Sequence, residues 1–109
     1  MLSDQNKQKL DTYFGFAMKK KAVYVGLKME ELLSRKRLDF LLVLPSCTDK
    51  KFEELSHYQS INPNLVIFRY TGSGYDVKSM LGYELLNAVG IKDVHLVKAI
   101  RNLLEEDMK

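Results

Sequence analysis

The side chains best suited to chemistry in this sequence are cations near its N-terminus. Residues 1–37 carry a formal +5 from nine lysine and arginine residues and four acidic ones, and residues 38–109 carry −2, within a chain of net charge +3. Cations concentrated in one part of a fold favour polyanions such as nucleic acid. We expect the triplet Lys19-Lys20-Lys21 and Lys28 to form such a surface; the alternative is an ordinary solvated lysine surface.

A second source of positive potential is the helix that is predicted to begin beside Gly26. Free backbone N–H groups at a helix start attract phosphate, and glycine lets the backbone approach it closely. If Gly26 and the lysines share one rim, four to six phosphate contacts would give a salt slope of about −4 to −5 on duplex-like nucleic acid. The alternative is that Gly26 simply ends a strand in a turn.

The loop Gly72-Ser73-Gly74 lies between a strand and a helix, where some enzymes bind nucleotides. A dinucleotide fingerprint would need a third glycine where Val77 stands, and no P-loop lysine follows. We therefore predict a flexible loop and no nucleotide cofactor. Tyr70 and Tyr75 flank the loop and would either stack on bases or pack in the core.

The sequence offers little evidence for a catalytic nucleophile or a metal site. Cys47 follows a strand and precedes a helix, whose N-terminus can lower the pKa of a thiol, but no triad partner accompanies it. His57 and His95 have no carboxylate or thiol partner at useful spacing, and no zinc-site spacing is present. We predict that the protein is not an enzyme and holds no metal, and that the acidic tail 105–107 is a solvated helix end that frays.

The elements that must position these residues alternate between helix and strand. Periodicity, with Ser3, Thr48 and Asp93 as capping residues, predicts helices over 3–20, 27–36, 49–60, 76–82 and from 93 onward. Apolar and β-branched runs predict strands over 22–25, 38–44, 65–70 and 86–91. Residues 83–92 could also extend the fourth helix, but two glycines favour the strand. The order αβαβαβαβα predicts a single α/β domain, residues 1–109, folded as a three-layer α/β/α sandwich around a four-stranded mixed sheet.

Length and terminal composition indicate where such a domain works. The chain has 109 residues, and its longest apolar run, residues 40–45, is far below the length that crosses a bilayer. The polar, acid-containing first seven residues are not typical of a targeting signal, and one cysteine excludes an internal disulfide. We expect a cytoplasmic protein without a membrane partner.

Several segments resemble one family. The element order, the run from Gly15 to Lys20, the segment 23–26, the buried strand 41–44 and the segment 82–91 are similar to the kink-turn RNA-binding ribosomal proteins. These form the L-seven-Ae / L-thirty-e group, with small bacterial YlxQ-type members. The resemblance covers roughly residues 13–104. It implies non-enzymatic binding of structured RNA, kink-turn-like or ribosomal, rather than DNA.

The resemblance also implies the RNA-binding residues. In the family, the helix after a glycine aims its first turn at tandem G·A pairs, and a later apolar loop packs on a flipped-out nucleotide. The positions carried over, together with the basic triplet, are Lys19, Lys20, Lys21, Gly26, Lys28, Met29, Leu32, Glu84, Leu85, Leu86 and Asn87.

Two of these positions depart from the family pattern. Met29 stands where the family has Glu or Gln, and Leu32 stands where it has Lys. Neither side chain replaces the hydrogen bonds of the family residue. The alternative function is therefore a protein–protein interaction module on the same fold that has lost RNA binding.

Overall fold

The predicted alternation of helices and strands is confirmed, with one helix divided in two. The structure, a computed structural model, describes residues 2–72, 74–83 and 86–109. Its elements are α1 (Asp4–Lys19), β1 (Val23–Tyr24), α2 (Gly26–Ser34), β2 (Phe40–Val43), α3 (Asp49–Ser56), α4 (Tyr58–Ile61), β3 (Val66–Arg69), α5 (Val77–Leu81), β4 (Ala88–Ile91) and α6 (Val94–Asp107).

The predicted helix over 49–60 is divided at His57. The His57 amide donates to the carbonyl of Glu54 three residues earlier, and the Ser60 hydroxyl donates to the His57 carbonyl at 2.6 Å. Serine hydroxyls that bond nearby backbone groups compete with the regular helical pattern. Two short helices, α3 and α4, therefore replace one longer helix.

The four strands form one mixed sheet in the order β1-β4-β2-β3. β2 pairs parallel with β3, whereas β4 pairs antiparallel with both β2 and β1. The ambiguous segment before α6 contributes the strand Ala88–Ile91, as predicted. The α/β class and the four-stranded mixed sheet are thus confirmed.

Helices cover both faces of this sheet, which gives the three layers. Phe40 and Leu42 of β2 pack in a core with α1, α5 and α6, while Leu41 and Val43 pack in a second core with α2 and α3. All four β2 side chains are buried. The apolar run in the sequence is therefore a strand buried on both faces, as expected.

Polar side chains cap three of the helices at the predicted positions. The side chains of Ser3, Thr48 and Asp93 accept hydrogen bonds of 3.0–3.1 Å from backbone amides in the first turns of α1, α3 and α6. Each bond satisfies an amide that would otherwise lack a partner at the helix start.

Strand direction gives the sheet two chemically different edges. β1, β2 and β3 run the same way, so the residues that follow them lie at one edge, together with the residues that precede the reversed strand β4. We call this the carboxyl edge; it includes Gly26, residues 44–47, residues 70–72, residues 74–75 and Asn87. The opposite edge receives the ends of α1, α2 and β4.

Within the described residues, no helix combines the length and hydropathy needed to cross a membrane.

A tight contact in β4 provides a test of the packing. A Cβ on Gly90 would overlap Cδ2 of Leu38, which is fully buried. We expect Gly90→Ala to lower the free energy of unfolding by about 1–3 kcal/mol through overpacking, measured by urea denaturation. As a control, Gly15→Ala places a Cβ in open space on α1 and should stabilise the protein by about 0.5–1 kcal/mol. Equal effects of the two substitutions would contradict the assigned packing.

Candidate nucleic-acid interface

The start of α2 is an exposed helix N-terminus that has no side-chain cap from the residues that the structure describes. Gly26 adopts a φ of 61°, a left-handed conformation that favours glycine. Val25 occupies the capping position, makes no side-chain capping bond, and is followed by a first turn without acidic residues. Gly26, Leu27 and Lys28 are all exposed. The amides of this turn can therefore be offered to an anion.

A pocket of about 230 Å³ adjoins this helix start. Its lining includes Gly26 and Met29 of α2, Lys51 of α3, and Leu86 and Asn87 ahead of β4. The structure thus brings together residues that are about 60 positions apart in the sequence, because β4 lies beside β1. Four of the residues predicted from the family resemblance share this site: Gly26, Met29, Leu86 and Asn87.

The apolar members of the predicted set belong mainly to the core. Met29, Leu32 and Leu86 are 5%, 8% and 6% exposed. Met29 and Leu32 pack α2 against the sheet, and Met29 and Leu86 also line the pocket. The departures from the family pattern therefore fasten α2 to the sheet. Asn87 is exposed, and Glu84 and Leu85 lie outside the described residues.

The expected rim that joins the lysine triplet to Gly26 and Lys28 is wrong. Lys20 lies at the opposite edge, where its Nζ forms a 3.0 Å ion pair with Asp93 at the start of α6. β1 leads away from the triplet and delivers Gly26 to the carboxyl edge. Lys21 and Gly26 are five positions apart, which is roughly 16 Å of extended chain at 3.3 Å per residue. The two sets of groups cannot hold the same phosphate.

The two cations beside the start of α2, Lys28 and Lys51, have acidic partners. Lys51 Nζ lies 3.2 Å from Glu30 and 3.7 Å from Glu54, and Lys28 Nζ lies 3.9 Å from Glu31. The hydrogen bond to Glu30 is the largest cause of the raised pKa of Lys51. The edge is therefore close to neutral, and its positive potential comes mainly from the helix start.

The acidic tail does more than the sequence suggested. The Asp107 carboxylate accepts hydrogen bonds from the Tyr70 hydroxyl at 2.5 Å, the Gly74 amide at 3.0 Å and the Leu2 amide at 3.2 Å. We call this set of bonds the Asp107 clamp. Burial alone would raise the pKa of Asp107, but the three donors outweigh it and lower the pKa. The prediction of a wholly solvated, fraying end is wrong because it ignored these distant donors.

Gly72 and Gly74 both pack against the same carboxylate. A Cβ at Gly72 would lie 2.6 Å from Cε1 of Tyr70, and a Cβ at Gly74 would lie 2.8 Å from Cγ of Asp107. Glycine is needed at both positions because the clamp leaves no room for a side chain. This packing gives the two glycines a structural role that needs no nucleotide.

Both tyrosines near this loop are packing residues. Tyr70 is fully buried, and Tyr75 stacks on Phe14 with ring centroids 6.0 Å apart. The Tyr75 hydroxyl donates to Asp11 at 2.5 Å. The pKa of each phenol is raised mainly by burial and, to a lesser extent, by its hydrogen bond to a carboxylate, Asp107 for Tyr70 and Asp11 for Tyr75. The packing interpretation, rather than base stacking, is therefore correct for this pair.

Cys47 is an inert core residue in this fold. It is buried, and its Sγ donates to the carbonyl of Thr48 at 3.5 Å. Burial raises the pKa of the thiol despite the nearby cations Arg69 and Lys51, which is opposite to the lowering that a helix start can produce. His57 and His95 are exposed, and the described residues contain no cluster of potential metal ligands.

Comparisons with known proteins extend only to the architecture. No family model and no curated protein matches this chain. A solved structure from Bacillus halodurans C, of a protein with unknown function, is similar at a TM-score of 0.69 and 11% identity. The match covers 89% of this chain and 97% of that one. The likeness shows the fold alone.

The clamp predicts a pH-dependent contribution to stability. Asp107→Ala removes three hydrogen bonds to a charged group and should lower the free energy of unfolding at pH 7 by about 2 kcal/mol. Because the folded-state pKa is lowered from 3.8, the stabilisation is present above that value and is lost as the pH falls through the folded-state pKa. The free energies of unfolding of the variant and the wild type, measured by urea denaturation between pH 7 and pH 2, should become more similar at the acidic end. Glu106→Ala, which removes an exposed carboxylate, should change stability by less than about 0.5 kcal/mol.

The buried thiol predicts slow chemical modification. At pH 8, a colorimetric disulfide reagent should modify Cys47 far more slowly in the folded protein than in urea, because the thiol is protonated and buried. Rapid modification of the folded protein with a titration midpoint below that of free cysteine would contradict the assigned environment.

Proposed function

We propose that this chain is a non-enzymatic protein that binds structured RNA, kink-turn-like or ribosomal, at its carboxyl edge. The observation that carries the proposal is the uncapped start of α2 at Gly26, next to a pocket that Asn87 also lines. The resemblance to the kink-turn-binding family supports the same edge. The proposal includes a cytoplasmic location and requires neither a metal nor a cofactor.

Backbone amides would make the phosphate contact. The first-turn N–H groups of α2 point away from the helix body and carry the positive end of its dipole. Lys28 extends from the same turn and is 61% exposed despite its distant partner Glu31. A phosphate held there would bring the neighbouring nucleotide towards the pocket.

The pocket and Asn87 would read an unstacked base. Proteins recognise RNA sequence mainly in bulges, loops and ends, whose bases can leave the helix. The Asn87 amide offers both donors and an acceptor to a base edge, and Met29 and Leu86 provide apolar surface for a ring. This combination favours a bulged RNA over a regular duplex.

The near-neutral charge of the edge sets the expected salt dependence. With the amides and Lys28 as the main phosphate ligands, two or three contacts would give a salt slope of about −1.4 to −2.1 on an unpaired strand. This slope is much shallower than the value of about −4 to −5 that a rim shared with the lysine triplet would give. Affinity at this edge would come from shape and base contacts.

One observation favours the alternative of a protein–protein interaction module that has lost RNA binding. Leu27 is 85% exposed beside the pocket, and Lys51 is already engaged by two carboxylates. An apolar side chain next to a shallow pocket suits an apolar side chain of a partner protein.

The proposal is tested by fluorescence-anisotropy titration with a kink-turn RNA and with a duplex of equal length that lacks the bulge. We expect tighter binding to the kink-turn RNA. Asn87→Ala should weaken that binding about tenfold, since it removes hydrogen bonds worth about 1–1.5 kcal/mol. Lys28→Ala should weaken it a few-fold.

A matched control is Asn102→Ala, which truncates an exposed asparagine on α6 and should leave binding unchanged. Equal affinity of wild type and Asn87→Ala would contradict the assigned site. Absence of binding to either RNA at low salt would overturn the RNA proposal and favour the alternative.

A further inference from the structure

The edge opposite the proposed RNA site collects cations from all three layers of the sandwich. α1 and α2 lie on opposite faces of the sheet and both end there, as does β4. We call this surface the lysine edge, and its seven cations are Lys19, Lys20, Lys21, Arg35, Lys36, Arg37 and Lys92. All seven are exposed. The triplet noted in the sequence is thus one part of a larger surface.

The lysine edge carries more net charge than the whole molecule. Three acidic residues lie near the seven cations, namely Glu31, Asp39 and Asp93, so the edge has a formal charge of +4 while the whole chain has +3. Asp93 pairs with Lys20, and Glu31 pairs with Arg35. The other five cations have no ion pair within the described part of the chain. They are the groups that a polyanion would meet.

The backbone at this edge adopts a strained conformation at two of its lysines. Lys21 and Lys36 have φ values of 55° and 58° and, within the described residues, are the two non-glycine positions with positive φ. A left-handed conformation is unfavourable for a residue that has a Cβ. Both residues occupy the position just beyond a helix end at which glycine is usual.

The same capping motif ends both helices. After α1, the Ala22 amide bonds the Ala17 carbonyl at 2.8 Å and the Lys21 amide bonds that of Met18 at 3.0 Å. After α2, the Arg37 amide bonds the Leu32 carbonyl at 2.9 Å, and the Lys36 amide bonds that of Leu33 at 3.2 Å. These paired bonds define the Schellman motif.

At the end of a third helix, this chain has glycine at the left-handed position, where glycine is not strained. α5 ends at Gly82, whose φ is 78°. Lysine therefore replaces glycine at the two helix ends that meet at the lysine edge. The negative end of a helix dipole attracts a cation, but Lys19 and Lys20 already supply this attraction to α1 without strain. The dipole therefore does not explain the choice of lysine at the end of α1, where a bound polyanion would explain it.

We propose that the lysine edge is a second phosphodiester-binding surface, separate from the carboxyl edge. The three layers, spaced about 10 Å apart, spread the cations over roughly 20 Å. Over that length a regular duplex presents about 12 phosphate charges. The five cations without ion pairs would give a salt slope of about −4 to −5, which is the signature of binding without sequence preference. The choice of RNA as the polyanion rests on the proposed function.

The test uses a double variant that removes two cations and relieves backbone strain at the same time. Lys21→Gly combined with Lys36→Gly should leave the thermal midpoint unchanged or raise it, so misfolding cannot explain lost binding. The probe is a 16-base-pair RNA duplex without a bulge, titrated at several salt concentrations. We expect the slope to become shallower by about 1.8 and the affinity to fall on the order of 30-fold at 0.15 M salt, from two lost phosphate contacts.

A second double variant controls for net charge. Lys9→Ala with Lys109→Ala removes the same charge at exposed positions; Lys9 lies ten residues, or about 15 Å of helix, from Lys19. The salt slope of this variant should differ from that of the wild type by no more than about 0.9, the contribution of one phosphate contact. An equal loss in both double variants would show a general charge effect and overturn the inference.

The remaining outcomes separate this inference from the proposed function. An unchanged duplex affinity in Lys21→Gly/Lys36→Gly, with kink-turn RNA still bound at the carboxyl edge, overturns the second surface alone. A second outcome is that Lys21→Gly/Lys36→Gly loses duplex binding while Asn87→Ala binds kink-turn RNA as tightly as the wild type does. This outcome supports the lysine edge and overturns the proposed site. Binding to phosphatidylserine vesicles but to no RNA by the wild-type protein would assign the lysine edge to a membrane surface and overturn both.

Discussion

The burial of β2 on both faces is the constraint on which the rest of this structure depends. Phe40 and Leu42 face one core and Leu41 and Val43 face the other. Removing such side chains from water contributes about 1.5–3 kcal/mol for each one. Neither face can be left open, so helices must cover both. The placement of α1 and α2 on opposite faces, and of their ends at one edge, follows from this requirement.

The position of β4 then decides which residues meet. β4 lies between β1 and β2 and runs against both. Its first residues therefore lie beside the end of β1, which places Asn87 next to Gly26, while its last residues place Lys92 beside the end of α1. A β4 added outside β3 would have left the start of α2 without Asn87 and the triplet without Lys92. Strand order thus assembles both surfaces from segments that are far apart in sequence.

Local signals in the sequence predicted the elements well, and distant contacts account for the errors. Ser3, Thr48 and Asp93 cap helices as expected, because a capping bond spans three residues and is visible in sequence. Local sequence signals do not show the hydrogen bonds of Asp107, because its partner Tyr70 lies 37 residues away. Cys47 was judged from its adjacent helix alone, whereas burial by several segments decides its pKa.

The candidate site shows the same division. The family resemblance predicts that Gly26 and residues 86–87 belong to one site, and the structure places them around one pocket. The separation of the lysine triplet from Gly26 depends on the direction of β1, which composition cannot reveal. Charge counted along the first third of the chain combined groups that the fold sends to opposite edges. The count identified a real concentration of cations but not the surface to which it belongs.

The short helix α2 connects the two proposed surfaces and limits how they could act together. Its N-terminus lies in the carboxyl edge and its C-terminus, followed by Lys36 and Arg37, lies in the lysine edge. Nine residues at 1.5 Å each make this helix about 14 Å long, so the dipole that attracts phosphate at one end repels it at the other. The cations beyond α2 reverse that repulsion locally. Two RNA segments bound at once would therefore lie only one short helix apart.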